Sequence, residues 1–215
     1  MRKALITVVL GALTVALSPT PASAHADLKA STPRNGAVIA TAPATVSLVF
    51  SEPVEVESVA VLNAKVQPLA SSYTTQGAIV TITPRAPLAD GASSVQWKAR
   101  SDDGHEVTGA IAFIVGKPAP VGKPTTIITV PKIPTVLSGS TSGPLTVAFT
   151  SKASSGEVQW SNPAYAGPFT WRVTGNGKLA KGTGILPSPG KWTMQANLVG
   201  KGGLVVLTEG TVTLA

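Results

Sequence analysis

The sequence predicts an all-β protein with two β domains, and three observations point to this fold class. Short segments alternate polar and apolar residues, as residues 45–50 do, with the period of two that is typical of a half-buried strand. Turn-forming pairs such as Asn35-Gly36 and Asp103-Gly104 separate these segments. Helical periodicity is nearly absent from the chain. Short strands that alternate with turns are typical of a β-sandwich or barrel.

The candidate strands form two groups on either side of a proline-rich stretch. The first group comprises residues 45–50, 58–62, 78–83, 93–99 and 107–115. The second group comprises residues 145–150, 157–160, 169–174, 191–198, 204–207 and 211–214. Because five prolines lie between residues 118 and 134, residues 117–134 are predicted to be a semi-rigid linker, with 125–130 as an alternative first strand of the second group. The predicted domains are residues 25–116 and 135–215.

Residues 1–24 have the pattern of a secretory signal peptide. Arg2 and Lys3 precede an apolar run at residues 4–17, and a small-residue tripeptide ends at Ala24. The apolar run is too short to span a bilayer comfortably, which argues against a membrane anchor. We therefore expect cleavage after Ala24 and an exported protein, in the periplasm, the cell envelope or the extracellular space, that is soluble once the leader is removed.

Composition excludes several classes of chemistry. The chain has no Cys, so disulfides, thiolate zinc sites, iron–sulfur clusters and Cys nucleophiles are all ruled out. Two His are present in total, so any imidazole site must draw on His25 and His105. With 43% hydrophobic residues, the chain has enough apolar side chains to build a packed core, which argues against intrinsic disorder.

Charge is distributed unevenly between the two halves. Residues 25–117 contain seven Lys or Arg and eight Asp or Glu, which gives a net charge of −1. Residues 118–215 contain eight Lys or Arg and two Asp or Glu, which gives +6. A basic half can attract an anionic surface such as the cell envelope, but no run of like charge exists, so scattered lysines that serve solubility are the favoured interpretation. Export argues against nucleic acid as a partner.

Cleavage after Ala24 would make His25 the first residue of the mature protein. An α-amine has a reference pKa of ~7.7–8.0 and an imidazole one of ~6.5, so both nitrogens can offer lone pairs near neutral pH. The amine and Nδ1 of one residue can close a six-membered chelate ring on a metal ion. The alternative is that His25 is only a frayed, solvated terminus.

Asp103 and His105 form a second candidate metal-binding element. They are two residues apart, so in extended backbone their side chains would lie on the same face. Gly104 between them permits a tight turn or close approach to a ligand. The alternative is an ordinary Asp-Gly turn beside a histidine that hydrogen-bonds locally.

Together, these groups predict a copper(II) site. The amine, the His25 imidazole, the His105 imidazole and the Asp103 carboxylate supply three nitrogens and one oxygen, a set that suits tetragonal Cu(II). Zinc is the rival metal, but it prefers tetrahedral geometry and its structural sites mostly use thiolates. Met1 and Met194 are the only methionines, so the first domain cannot assemble a thioether site for Cu(I).

Over residues 25–116, the chain resembles the CopC-like copper-resistance and periplasmic copper-binding proteins. The resemblance lies in an ordered series of short motifs: His25-Ala26-Asp27-Leu28, Ser31-Thr32-Pro33-Arg34-Asn35-Gly36-Ala37, Ala42-Pro43, Leu48-Val49-Phe50-Ser51-Glu52-Pro53-Val54, Val95 to His105 and Val107 to Phe113. It implies a Greek-key β-barrel or sandwich of cupredoxin-like, immunoglobulin-like shape.

The resemblance also implies a set of Cu(II) ligands at one end of that domain. The family's terminal His corresponds to His25, its D-x-H pair to Asp103 and His105, and its F-S-E acid to Glu52. On local evidence alone, Glu52 is equally compatible with a solvated loop acid. Some family members carry a Met-rich loop for Cu(I), and the corresponding residues 61–75 here contain no Met.

The predicted function is non-catalytic. We expect a monomeric exported protein that binds Cu(II), either to sequester copper for resistance or to deliver it to a membrane copper transporter that imports it. Two alternatives remain at this stage: a histidine-brace copper monooxygenase, and a structural envelope β-protein without a metal role. The second domain, residues 135–215, forms a small β-sandwich in this prediction and carries no assigned chemistry.

Overall fold

The computed structural model describes residues 26–117, 135–139, 143–200, 203 and 205–214. The described residues fold entirely into β-strands, turns and loops, which confirms the predicted all-β class. The predicted signal peptide, His25, residues 118–134 of the predicted linker and its alternative strand at 125–130 lie outside the described residues. Within these ranges the structure contains no helix with the length and apolar character needed to cross a bilayer.

The first half of the chain forms two antiparallel sheets that face each other. One sheet has the strand order β1-β3-β7-β6, and the other places β9-β8-β4-β5 side by side, with the short β2 parallel to β9. The nine strands over residues 26–117 are β1 Leu28–Thr32, β2 Val38–Ile39, β3 Val46–Phe50, β4 Val54–Asn63, β5 Pro68–Leu69, β6 Ser71–Gln76, β7 Ile79–Pro84, β8 Gly91–Ser101 and β9 Glu106–Val115.

Alternating residues from these two sheets form the first core. Strand β3 shows the pattern most clearly, because Val46, Leu48 and Phe50 are buried while the residues between them are partly exposed. Trp97 of β8 is 5% exposed and meets Phe50 edge to face at 5.9 Å between ring centroids. The predicted β-sandwich of the first half thus has its own apolar interior.

The second half is one continuous run of hydrogen-bonded strands around a second core. Its order is β10-β11-β14-β13-β12-β15-β16. All seven strands contribute buried residues to the same core, so the run must curve around it. The strands in the described part of this half are β10 Thr135–Gly139, β11 Leu145–Phe149, β12 Ala153–Ser161, β13 Phe169–Gly175, β14 Ala180–Gly184, β15 Gly190–Gly200 and β16 Val205–Leu214.

Six of the described strands, β1, β2, β5, β6, β10 and β14, were not predicted from the sequence, and two of them lack an apolar pattern that would mark a strand. Strand β6 is polar and mostly exposed on both faces because it lies at a sheet edge. In β14 the inward positions are Ala180, Gly182 and Gly184, so no large apolar side chain marks the buried face. The Trp171 ring packs directly on Gly184, where a Cβ atom would approach the indole Nε1 to 2.1 Å. The predicted strands 204–207 and 211–214 are one strand, β16.

Candidate metal centre

Three segments leave the two sheets at the same end of the first half. Strands β1 and β3 are antiparallel with Leu28 opposite Phe50, so the residues before β1 lie beside the loop after β3. Strands β4 and β8 are antiparallel with Val54 opposite Ser101, so the same loop lies beside the turn after β8. The three segments brought to this end are residues 26–27, 51–53 and 102–105.

The start of the described chain is fixed at this end by burial and hydrogen bonds. Ala26 is fully buried in the first core. The Asp27 backbone N–H donates to the Ser51 hydroxyl at 2.9 Å, and the Ser51 N–H donates to the Asp27 carbonyl at 2.9 Å. His25 lies outside the described residues, but one peptide bond joins it to Ala26, and Cα atoms across such a bond are about 3.8 Å apart. The attachment point of His25 is therefore held beside residue 51.

Asp103 and His105 lie in the turn that connects β8 to β9. Gly104 adopts a positive φ of 85°, which L side chains rarely adopt, and its N–H donates to the Ser101 carbonyl at 2.8 Å. The two side chains meet, with His105 Nδ1 2.8 Å from Asp103 Oδ2. The structure thus places them together as expected, but the cause is the tight turn rather than the alternation of an extended strand.

Hydrogen bonds hold the Asp103 carboxylate in its ionised form. The Ser101 hydroxyl donates to Oδ1, the His105 backbone N–H donates to the same oxygen at 3.1 Å, and the His105 ring lies beside the carboxylate. These contacts lower the pKa of Asp103 to about 2, and the Ser101 hydrogen bond contributes most. An imidazole protonated at Nδ1 donates to this carboxylate and carries its lone pair on Nε2, an arrangement that is common for metal-binding histidines.

An ionic network braces this turn from the neighbouring strands. The Arg100 guanidinium donates to the Gly104 carbonyl at 3.1 Å and lies 2.5 Å from a Glu57 carboxylate oxygen. Lys98 lies 3.1 Å from Glu57 and 2.8 Å from Glu106. Hydrogen bonds from Lys98 and Arg100 lower the pKa of Glu57, while those to Glu106 and Glu57 raise the pKa of Lys98. The network is partly exposed, so its main effect is to orient the turn.

Glu52 is half-buried in the loop between β3 and β4. Its Oε1 atom is buried and accepts no hydrogen bond from the described part of the chain. A buried carboxylate oxygen without a donor costs free energy unless a cation or a further donor reaches it. A cation at this end of the sheets would supply the partner that Oε1 lacks among the described residues.

The described residues form only part of the predicted ligand set. Asp103 and His105 are in contact, whereas no group of three His, Asp or Glu side chains within the described ranges is arranged to hold a metal ion. His25, which would supply two of the predicted donors, is outside those ranges. The supporting roles of Ser51, Ser101 and Arg100 were not predicted from the sequence, although the serines stand close to predicted ligands in the chain.

Comparisons with known proteins match the first half of the chain to copper resistance proteins. Residues 28–116 match the family model of the CopC domain. Copper resistance protein C from Pseudomonas syringae pv. tomato is 34% identical over 105 residues, which cover 44% of this chain and 82% of that protein.

Solved structures of CopC and PcoC also align with this chain. CopC from Methylosinus trichosporium OB3b is 26% identical, with a TM-score of 0.40, over 42% of this chain and 93% of that one. PcoC, a methionine-rich copper resistance protein from Escherichia coli, is 31% identical, with a TM-score of 0.38, over 43% of this chain and 99% of that one.

The family match carries information about function. CopC proteins are periplasmic copper binders without enzymatic activity, which agrees with the non-catalytic role expected from the sequence. This chain belongs to the copper resistance protein C (CopC) family through residues 28–116, because these residues match the CopC domain model and the chain is 34% identical in sequence to the Pseudomonas protein.

Proposed function

We propose that this protein is an exported, monomeric Cu(II) binder whose site lies at the end of the first half where residues 26–27, 51–53 and 102–105 converge. That convergence is the observation that carries the proposal, because it brings the attachment point of His25 to the same end as the turn bearing Asp103 and His105. The bound copper is sequestered, or delivered to a membrane importer.

Each proposed ligand supplies a donor that suits Cu(II). After cleavage at Ala24, the His25 amine and imidazole would chelate the ion as a pair, and His105 would add a third nitrogen. Asp103 remains ionised at any physiological pH and either binds the ion or orients the His105 ring toward it. Nitrogen and carboxylate donors of this kind favour tetragonal Cu(II).

Glu52 is the fourth proposed ligand. Its buried Oε1 lacks a hydrogen-bond donor among the described residues, so an approaching cation would relieve an existing cost. Replacement by Gln keeps the size and removes the charge. We therefore expect Glu52→Gln to weaken Cu(II) binding, although less than loss of a histidine.

The proposed site is specific for the oxidised ion. A soft Cu(I) site would need thioether or thiolate ligands. The chain has no Cys, and its methionines are Met1, in the predicted leader, and Met194, which is fully buried in the second core. Exchange of copper between separate Cu(II) and Cu(I) sites within this chain is therefore not part of the proposal.

The central experiment starts from the exported protein. Mass spectrometry should show His25 as its first residue, and titration with Cu(II), followed by electron paramagnetic resonance, should give one site with several nitrogen ligands. His25→Ala, or a one-residue extension ahead of His25, should weaken binding by at least about 100-fold, because both remove part of the chelate. Asp102→Asn is the matched control, since it changes a neighbouring acid outside the proposed ligand set.

Two results would contradict the proposal. One is a mature terminus at any other residue together with unchanged copper binding. The other is equal affinity of the extended and unextended proteins. To separate the two cellular roles, a strain lacking the protein would be tested: sequestration predicts greater sensitivity to copper, whereas delivery predicts reduced copper uptake.

The basic second half supports a proposed peripheral contact with an anionic envelope surface. Its exposed cations include Arg172, Lys178, Lys181 and Lys191. Such attraction is long-ranged and screened by salt, with a Debye length of about 8 Å at physiological ionic strength. Cosedimentation with anionic vesicles should therefore occur at low salt and be lost at high salt, and its absence at low salt would contradict the contact.

A further inference from the structure

Strand β9 is buried on both faces along its second half. Its residues Ile111, Phe113 and Val115 belong to the first core. The alternate residues Ala110, Ala112 and Ile114 belong to the second core, together with the tryptophans of the second half. A strand covered on both sides is an interior strand, so β9 is shared by the two halves of the chain.

The outer face of the sheet beside β9 is shaped for close contact. Register places Leu62, Ser94 and Ala112 in one row across β4, β8 and β9, and Ala60, Gln96 and Ala110 in the next. Most of these side chains are small or apolar. Leu62, Ala110, Ala112 and Ser94 are all at most 4% exposed, because the second half covers them.

Backbone groups from the two halves bond directly across the junction. The Ala110 N–H donates to the Pro168 carbonyl at 2.9 Å, at the point where β13 pairs with β9 through Phe169 and Ala110. The Ala166 N–H donates to the side-chain oxygen of Gln96 at 2.8 Å. The sheet therefore continues from one half into the other.

Asn35 bridges the two halves with a single side chain. Its Nδ2 donates to the Thr170 carbonyl of β13 at 3.0 Å, and its Oδ1 accepts from the Ala112 N–H of β9 at 3.1 Å. Both ends of the amide are thus used, one on each strand.

Two glycines permit the backbones to approach at this junction. A Cβ atom on Gly167 would lie 2.4 Å from the backbone nitrogen of Gly109 and 2.7 Å from its Cα. Backbone cannot move aside as a flexible side chain can, so any residue other than Gly at 167 would push the halves apart. Tyr165, two residues before Gly167, is also buried, and this burial raises the pKa of its phenol. The hydroxyls of Ser188 and of Ser94 in the first half lower that pKa in part.

From this junction we infer that residues 135–214 are not a separately folding accessory module: they dock on the outer face of β4, β8 and β9, and the two halves unfold as one unit. The outer face of β4, β8 and β9 in the CopC domain is thereby covered by the chain's own second half. Any protein partner must approach elsewhere, and the end bearing the proposed metal ligands is one such surface. The inference does not depend on copper binding.

Calorimetry of the unaltered full-length mature protein gives the first test. A single unit predicts one thermal transition whose calorimetric enthalpy equals its van't Hoff enthalpy. Two separable transitions, or a calorimetric enthalpy about twice the van't Hoff value, would overturn the inference.

Hydrogen exchange of reciprocal variants gives the second test. Gly167→Ala, in the second half, should raise amide exchange several-fold in β9 of the first half, and Asn35→Ala, in the first half, should raise it in β13 of the second. Gly182→Ala is the matched control, because its Cβ would come no closer than 3.1 Å to any atom and the three nearest atoms, in Val173, Arg172 and Val147, all belong to the second half. Effects confined to the half that carries the substitution would overturn the inference, and each variant tests it even if the other fails to fold.

Discussion

The two halves of the molecule use the same β architecture for different purposes. The first half contains both histidines and eight of the ten acidic residues, and it concentrates its candidate ligands in loops and turns at one sheet end. The second half contains three of the four tryptophans, no histidine and two acids, and all three of its tryptophans are buried. Candidate functional groups are thus carried by loops at one end of the sheets in one half, while apolar packing dominates the other.

The two halves also differ in how their aromatic residues pack. In the first half Trp97 meets one ring, Phe50. In the second half Trp192 stacks on Tyr165 at 5.4 Å and meets Phe169 edge to face at 5.5 Å, and its Nε1 donates to the Ser188 carbonyl at 3.1 Å. The aromatic residues of the second half thus form a connected cluster inside its core.

The largest expected effect comes from breaking the aromatic cluster. Trp192→Ala should lower the free energy of unfolding by about 3–5 kcal/mol, because it leaves a large cavity in a fully packed core. Urea denaturation would measure the loss. The copper resonance signature of the folded variant should stay unchanged, since Trp192 lies in the second half. Gln195→Ala on the same strand, at an exposed position, is the control and should stay within about 0.5 kcal/mol.

Lowering the pH should weaken Cu(II) binding at pH values well above those at which Asp103 becomes protonated. Protonation of a terminal amine and its imidazole between pH 7 and pH 5 should weaken Cu(II) binding by about a thousandfold. Asp103 has a pKa of about 2 in the folded chain, below its ordinary value of 3.8. The ionised carboxylate therefore contributes its full stabilisation above pH 3.8, and this stabilisation is lost as the pH falls toward 2. Copper titrations and thermal unfolding of the metal-free protein at pH 5, 6 and 7 would separate the two effects. Parallel loss of stability and affinity over this range would contradict the prediction.

The acidic pair at the turn offers a closely matched comparison. Asp103→Asn should weaken Cu(II) binding by about 10- to 100-fold, because it removes the carboxylate that binds the ion or orients His105. Asp102→Asn changes the adjacent exposed acid and should leave affinity within about twofold. Competition titrations against a chelator of known affinity would measure both. Equal effects of the two substitutions would show that only the net charge of the turn matters.

The smallest expected effect concerns the junction between the halves. Val66 adopts a φ of 61°, which is costly for a β-branched residue, and it packs against the second core. Asn tolerates this conformation, so we expect relief of strain to outweigh lost packing, and Val66→Asn should raise the free energy of unfolding by up to about 1 kcal/mol. Val38→Asn, in a short strand at an exposed position, should not stabilise the protein. Destabilisation by Val66→Asn in urea denaturation would instead show that the packing of Val66 across the junction outweighs its backbone strain.

Sequence patterns located most strands of both halves because alternation of side chains survives without tertiary information. Predicted segment 45–50 corresponds to β3 and 107–115 to β9. The patterns failed for β14, whose inward residues are Ala and Gly, because the large side chain that fills the space belongs to Trp171 on the neighbouring strand. A signal for the shared strand was nonetheless present: residues 110–115 are continuously apolar, as expected for a strand buried on both faces.

For the candidate site, the sequence suggested candidate donors, but it did not suggest the residues that support them. Asp103 and His105 are two residues apart, so local geometry alone was enough to bring them together. The buried oxygen of Glu52 and the hydrogen bonds between Asp27 and Ser51, 24 residues apart, depend on how the sheets pair. Nothing in the short motifs encodes those contacts.

By itself, the sequence determined the β-rich character of this chain, its division into halves of opposite charge, and the few residues able to bind a metal. The tertiary structure alone decided that Asn35 bonds to Thr170, 135 residues away, and that the second half covers the outer face of β4, β8 and β9. The physical reason is that hydrophobic periodicity specifies which face of a strand is buried. What covers that face depends on contacts between segments distant in the chain, which no local pattern records.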